Sequence, residues 1–199
     1  MNQKLTEIIK CLRNAKTCAE INLIQDDIVE IMPTVQIMFG FDQQHTAHQY
    51  DLWEHSLHTV LNLPKNIEDD MLYLAALLHD IGKPDCQCSG KREDDTNKHY
   101  YGHPHRSMEI VKDDVLPYME QKGICLSEDE KNRLLYYVEH HDDYVSSERK
   151  CMEKHLKSVT LREFRNLLFL EIADAKAHVM IPVVEKRIQI CEQLLTQGW

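Results

Sequence analysis

The sequence is poor in helix breakers: six glycines and six prolines in 199 residues. That leaves few of the tight turns an all-β sandwich or barrel needs, and it favours helices. Cysteines number seven, an odd count, at positions 11, 18, 86, 88, 125, 151 and 191, with no C-x-x-C pair among them. A disulfide framework or a zinc ribbon is therefore a poor reading, and free thiols in a reducing compartment are the simpler one. No apolar run reaches membrane-spanning length, and MNQKLTEIIK at the start lacks the apolar core of a secretory signal. The expectation is a cytoplasmic protein that is not membrane-bound. Positive charge is also scarce: 23 Lys and Arg against 33 Asp and Glu give a formal charge of −10. Nucleic acid is then a poor partner, because such binding draws on neutralised phosphates. A small phosphorylated ligand remains compatible, since a bound cation reverses the local field.

No Pro-, Gly- or Ser-rich linker, repeat or low-complexity run divides the chain. It reads as one all-α domain of about seven helices, with residues 1–45 a helical extension, 46–180 the core and 181–199 a last amphipathic helix. One or two helices are expected over 3–31, ended by Pro33. The next expected helices run from Asp51 to about Leu63, and from an Asn66 cap through Asp80, with MLYLAALL buried on nearly every side. Residues 81–102 read as a loop with room for a short hairpin. A helix from His103 to about Gln121 should kink or end at Pro117. Ser127 with Glu130, and Thr160 with Glu163, are capping-box signatures that open two further helices.

Histidine is what the chain has in excess: twelve, several of them clustered. In Leu77-Leu78-His79-Asp80-Ile81-Gly82-Lys83-Pro84 a His and an Asp together end a strongly apolar helix. A buried carboxylate there needs a partner. A salt bridge or a helix cap is one answer. A divalent metal is the other, since imidazole and carboxylate suit Mn, Fe, Co, Ni or Zn. His55, hemmed by Leu52 and Leu57, and Asp174, in EIADA, are compatible ligands from other helices. Taken singly, each is equally well read as a core histidine or a salt-bridged carboxylate.

The words YDLWEHSL, LAALLHDIGKP, YGHPHRS and LEIADAKA, in that order, resemble the HD-domain phosphohydrolases. The likeness is greatest to the HD domain of bacterial CCA-adding tRNA nucleotidyltransferases and their stand-alone relatives. The polymerase half of such enzymes has no counterpart here. The resemblance implies a compact helical HD bundle and a metal held by His55, His79, Asp80 and Asp174. It also implies a second metal on His103 and on His141 rather than His140, with Asp80 shared between the ions. One or two divalent ions are expected, with Mg an option beside the transition metals. Metal-activated water would then cleave a small phosphoester, a nucleotide by preference. Asp80 would orient the nucleophile and Lys83 would meet a phosphate oxygen. Arg106, His48 and His140 are further candidates for substrate contact, and Trp53, Tyr100 and Tyr101 for stacking on a base. The rival readings are a metal-binding sensor or interaction domain without turnover, and an HD-fold di-iron oxygenase. A homodimer built through the first 45 residues is compatible with the sequence.

Overall fold

The computed structural model describes residues 2–92, 94–144, 146 and 149–197. The side chain of Cys151 and the last two positions of the 181–199 stretch lie outside the described residues. Helices dominate, and seven have eight or more residues: α1 (Gln3–Asn14), α4 (Leu52–Asn62), α5 (Asp70–Leu78), α7 (His103–Ile110), α9 (Glu128–His140), α11 (Leu161–Ala177) and α12 (Pro182–Thr196). Shorter ones are α2 (Cys18–Asn22), α3 (Gln25–Ile31), α6 (Lys83–Cys86), α8 (Leu116–Gln121) and α10 (Arg149–His155). The all-α expectation holds.

Local chemistry explains most boundaries. Both capping boxes form, Ser127 with Glu130 on α9 and Thr160 with Glu163 on α11. Asp51 caps α4 by accepting from the Glu54 amide. Three boundaries differ from expectation. The first stretch breaks into three helices, because Ala15 leaves the helical region and Thr17 caps α2. Helix α5 starts at Asp70 rather than after Asn66: Asp69 caps it through the Met71 amide, while residues 64–67 close a turn, Ile67 N to Pro64 O. The chain stays helical through Pro117, with a π segment, Val111–Val115, between α7 and α8. A wider turn ahead of a proline relieves the clash of its ring with the preceding turn.

Helix α5 is the hub. Its residues Met71 through Leu78 are buried, and it packs on α1, α4, α9 and α11. Helix α11 lies against α4 and α12, and α7 against α9 and α6. Leu5, Ile8, Ile9 and Leu12 of α1 enter the same apolar cluster as α5 and α11. The first helices therefore share this core instead of standing apart from it. A buried polar knot fixes the hub against its neighbours. Tyr137 Oη donates to Asp69 Oδ2 at 2.8 Å, and Asn166 Nδ2 donates to the same oxygen at 3.1 Å. With both donors satisfied, the knot holds α5, α9 and α11 in one relative position.

A two-residue antiparallel ladder, β1 (Cys88–Ser89) with β2 (Lys98–His99), closes the hairpin after α6. Lys98 N donates to Gln44 O at 2.8 Å, which docks the hairpin on the loop before α4.

Candidate metal centre

Five chain segments end or turn at one place. His79 caps the C-terminus of α5 and Asp80 follows it. His55 lies inside α4, and Asp174 inside α11. His103 opens α7 directly after Gly102, whose φ of +79° is a conformation glycine adopts without strain. His141 follows the last residue of α9. All six side chains are buried.

Asp80 is the centre of the group. Its Oδ1 lies 3.0 Å from His103 Nε2 and 3.4 Å from His141 Nε2. Its Oδ2 lies 3.1 Å from His79 Nε2 and 3.4 Å from His55 Nε2. Asp174 Oδ1 closes the second set, at 2.9 Å from His55 Nε2 and 3.6 Å from His79 Nε2. Two donor groups result, His55, His79, Asp80 and Asp174 on one side and Asp80, His103 and His141 on the other. Asp80 is common to both.

The imidazoles are held from behind. His79 Nδ1 meets Ala76 O at 2.9 Å, His103 Nδ1 meets Tyr100 O at 2.8 Å, and His141 Nδ1 meets Val138 O at 2.8 Å. A carbonyl only accepts, so each Nδ1 carries a proton and each Nε2 faces inward, offering a lone pair whenever its ring is neutral. Inside, hydrogen bonding is incomplete: His79 Nε2 and both oxygens of Asp80 are buried without a hydrogen-bond partner. Lys83 Nζ stands 2.7 Å from Asp80 Oδ2 as an ion pair, but its hydrogen bond goes to Gln43 Oε1 at 2.8 Å. Unpaired buried oxygens facing unpaired imidazole nitrogens are costly unless a cation lies between them. The donor set, carboxylate oxygen and imidazole nitrogen, is that of a divalent metal site.

The charges respond to this crowding. Burial disfavours the carboxylate of Asp80, but His79 and Lys83 outweigh it and hold Asp80 well below the usual range. Burial likewise opposes the Asp174 carboxylate, and His178 and His55 outweigh it in the same way. Burial also opposes charge on His79, yet the two carboxylates push that imidazole up to about 10. In the metal-free protein a proton thus stands in for the cation.

The cavity above this floor has a volume of about 330 Å³; His48, Lys83, Tyr101, His178 and Arg187 are among its lining residues. Comparison with known families then decides the kinship: the HD domain model matches residues 52–178, a stretch that holds all six inward residues. The chain belongs to the HD-domain family. HD domains are metal-dependent phosphohydrolases as a class, and the residues of this HD domain fit a divalent ion. A search of curated proteins returned no match to the chain.

The HD fold brings Lys83 and His48 to the cavity as well. Burial pushes His48 down to about 2, so it is neutral, and its Nδ1 has no partner. Two expected contacts are not brought in. Arg106 turns away on α7, paired with Asp85 at 2.8 Å and Glu109 at 3.2 Å. His140 faces the other side of α9, because neighbours on a helix diverge by about 100°, and its Nδ1 meets Asp143 Oδ2 at 2.9 Å. Trp53 is core instead, with its indole on Asn22 and its ring edge-on to Phe39.

Sequence reasoning passed over a brace on α12. Arg187 Nη2 donates to His141 O at 2.6 Å, Nη1 to Asp142 Oδ1 at 2.9 Å, and Nη1 lies 3.8 Å from Asp174 Oδ2. One guanidinium thus steadies ligands from both donor groups. Behind it sits Glu171, fully buried, 3.4 Å from Arg187 Nε and raised to about 8 by burial. His178, one turn after Asp174, was missed too; its Nδ1 donates to Asp174 O at 2.9 Å. A signal existed for Arg187: it falls four and seven residues before buried Cys191 and Leu194, on the inward stripe of α12.

Proposed function

We propose that this HD domain hydrolyses a small nucleotide, with His55, His79, Asp80 and Asp174 holding one divalent ion and Asp80, His103 and His141 a second. The observation that carries the reading is Asp80, whose two oxygens face two separate sets of imidazoles. Mn, Fe, Co, Ni or Zn suit such donors, with Mg an oxygen-seeking outlier. A divalent ion held there polarises a phosphoryl oxygen and acidifies a water.

The chain's own groups do the rest. Asp80 fixes the spacing between the donor groups and accepts from a water at the floor. Lys83, buried beside it, sets one positive charge where a phosphate oxygen would lie. Neutral His48 donates to or accepts from the substrate without adding charge. A cavity of about 330 Å³ is at the small end of ligand sites, which favours a single nucleotide over a polymer. At its rim Tyr101 is 61% exposed and lies parallel to His99, centroids 5.4 Å apart and planes 3° off. That exposed face, backed by an imidazole, suits a nucleobase. The likeness to HD domains of CCA-adding enzymes belongs to this proposal as a statement of descent.

The test is hydrolysis of nucleoside monophosphates, dNTPs, cyclic nucleotides and sugar phosphates with added Mn, Co, Ni or Mg, read by chromatography of the nucleoside, nucleotide and phosphate products. Metal-dependent turnover that prefers a nucleotide and vanishes in Asp80→Asn is expected. Metal uptake with no turnover on any phosphoester would overturn it in favour of a binding domain.

A further inference from the structure

A second cluster of donors lies behind α9, outside the cavity. His140 ends α9, Asp143 follows three residues later in the loop, and His155 ends α10. Asp143 Oδ2 is 2.9 Å from His140 Nδ1 and 3.8 Å from His155 Nε2. At 3.8 Å the second contact is too long for a hydrogen bond.

His155 is the informative member. It is 3% exposed, with its ring on Phe164 at 5.2 Å and 28°, and edge-on to His140 at 5.4 Å. Its Nδ1 lies 3.1 Å from Tyr136 Oη. A phenol both donates and accepts, so this contact suits either tautomer of His155; with the proton on Nδ1, Nε2 offers its lone pair toward Asp143, the arrangement by which outer partners orient a ligating histidine. The donor atoms of all three residues lie within 4.8 Å of one another. The side chains of His140 and Asp143 remain 25% and 29% exposed, which leaves an ion a route in.

We propose that His140, Asp143 and His155 bind a transition-metal ion, Zn²⁺, Co²⁺ or Ni²⁺, at a site separate from the Asp80 centre. Two imidazoles and one carboxylate select these ions over Mg²⁺ or Ca²⁺. Three protein ligands leave the remaining positions to water. Lys154 Nζ, 3.3 Å from Asp143 Oδ2 on a side chain 69% exposed, holds the carboxylate in the metal-free protein. A surface ion pair of that kind yields at small cost. The ion would clamp α10 to the last turn of α9, the turn whose next residue is His141.

The experiment uses the tag-free full chain, stripped of metal and titrated with Co²⁺, read by visible absorption and by bound metal after equilibrium dialysis. The wild type is expected to bind one equivalent more than Asp143→Asn and His140→Gln, and Lys154→Ala to bind that extra equivalent about two- to fivefold more tightly, its competitor gone. Equal stoichiometry in wild type and a folded Asp143→Asn overturns the proposal. Should both loss variants fail to fold, Lys154→Ala decides: affinity unchanged or weakened overturns it.

Discussion

Gly82 offers the sharpest perturbation of the centre, because it is not itself a proposed ligand yet packs against the backbone of one. It sits at φ −84°, where any residue is comfortable, so only space constrains it. A Cβ built there would meet Ser107 N at 2.5 Å and both Arg106 C and His103 O at 2.9 Å. Ordinary contact begins at 3.4 Å, so Gly82→Ala asks α7 to retreat by about 3.4 − 2.5 = 0.9 Å. All three contacts are backbone and cannot rotate aside. Overpacking of this kind costs roughly 1–3 kcal/mol, or about 2–12 °C in Tm for a chain this long. The chemical effect should be larger. His103 rides on the first turn of α7, and its Nε2 stands 3.0 Å from Asp80 Oδ1. Metal sites tolerate ligand shifts of only about 0.2 Å, and a misplacement near 1 Å costs roughly 10²-fold in rate. The assays are thermal unfolding without metal, bound metal per chain, and phosphate release. Ser107→Ala, which removes only the 2.9 Å bond from Gly82 N, is the milder control. A Gly82→Ala protein with wild-type Tm, metal content and turnover would refute the close-approach argument.

Three further outcomes follow from the same geometry. Asp80→Asn should reduce metal uptake and phosphate release to background; it should also bring His79 down from about 10 toward the usual imidazole range, visible by NMR titration, since the Asp80 charge is a main support of that value. An unchanged His79 titration sinks the coupling. Tyr101→Ala should raise KM for nucleotides several-fold yet leave KM for a sugar phosphate alone; equal effects on both would remove the base-stacking role. Glu171 is raised from 4.5 to about 8 by burial. The folded state then holds a proton that the unfolded state releases, and stability falls as pH rises through that window, by up to a few kcal/mol. Denaturant unfolding at pH 5 and pH 8 should show a smaller loss in Glu171→Gln, and equal losses in both proteins would contradict it.

The centre was legible where composition and position agreed. MLYLAALL could only be a buried helix, so the charged pair ending it stood out. The capping boxes at Ser127 and Thr160 were equally plain, because a cap is written within four residues. Asn66 and Asp69 were both fit to cap α5, and the turn after Pro64 chose between them, a choice made by tertiary packing. Helix α10 went unread since RKCMEKH carries almost no apolar period. Arg187 and Glu171 look like surface charges in sequence; they become a brace only when α12 lies across α11. His140 and His141 differ by a single step along α9; the resemblance favoured His141 for the centre, and the rotation of the helix turns it to Asp80 and His140 to Asp143.

The three back-bonded histidines each lean on the carbonyl three residues earlier, at Ala76, Tyr100 and Val138. Ala76 and Val138 give the centre a main-chain oxygen and nothing else, so their side chains answer to the apolar core alone. Two demands are thereby written on different atoms of one residue. Drift in the core can proceed at these positions without disturbing the centre, as long as the backbone keeps its path. The orientation of each ring travels with a four-residue piece of chain, which makes it portable to any scaffold whose backbone turns in the same way.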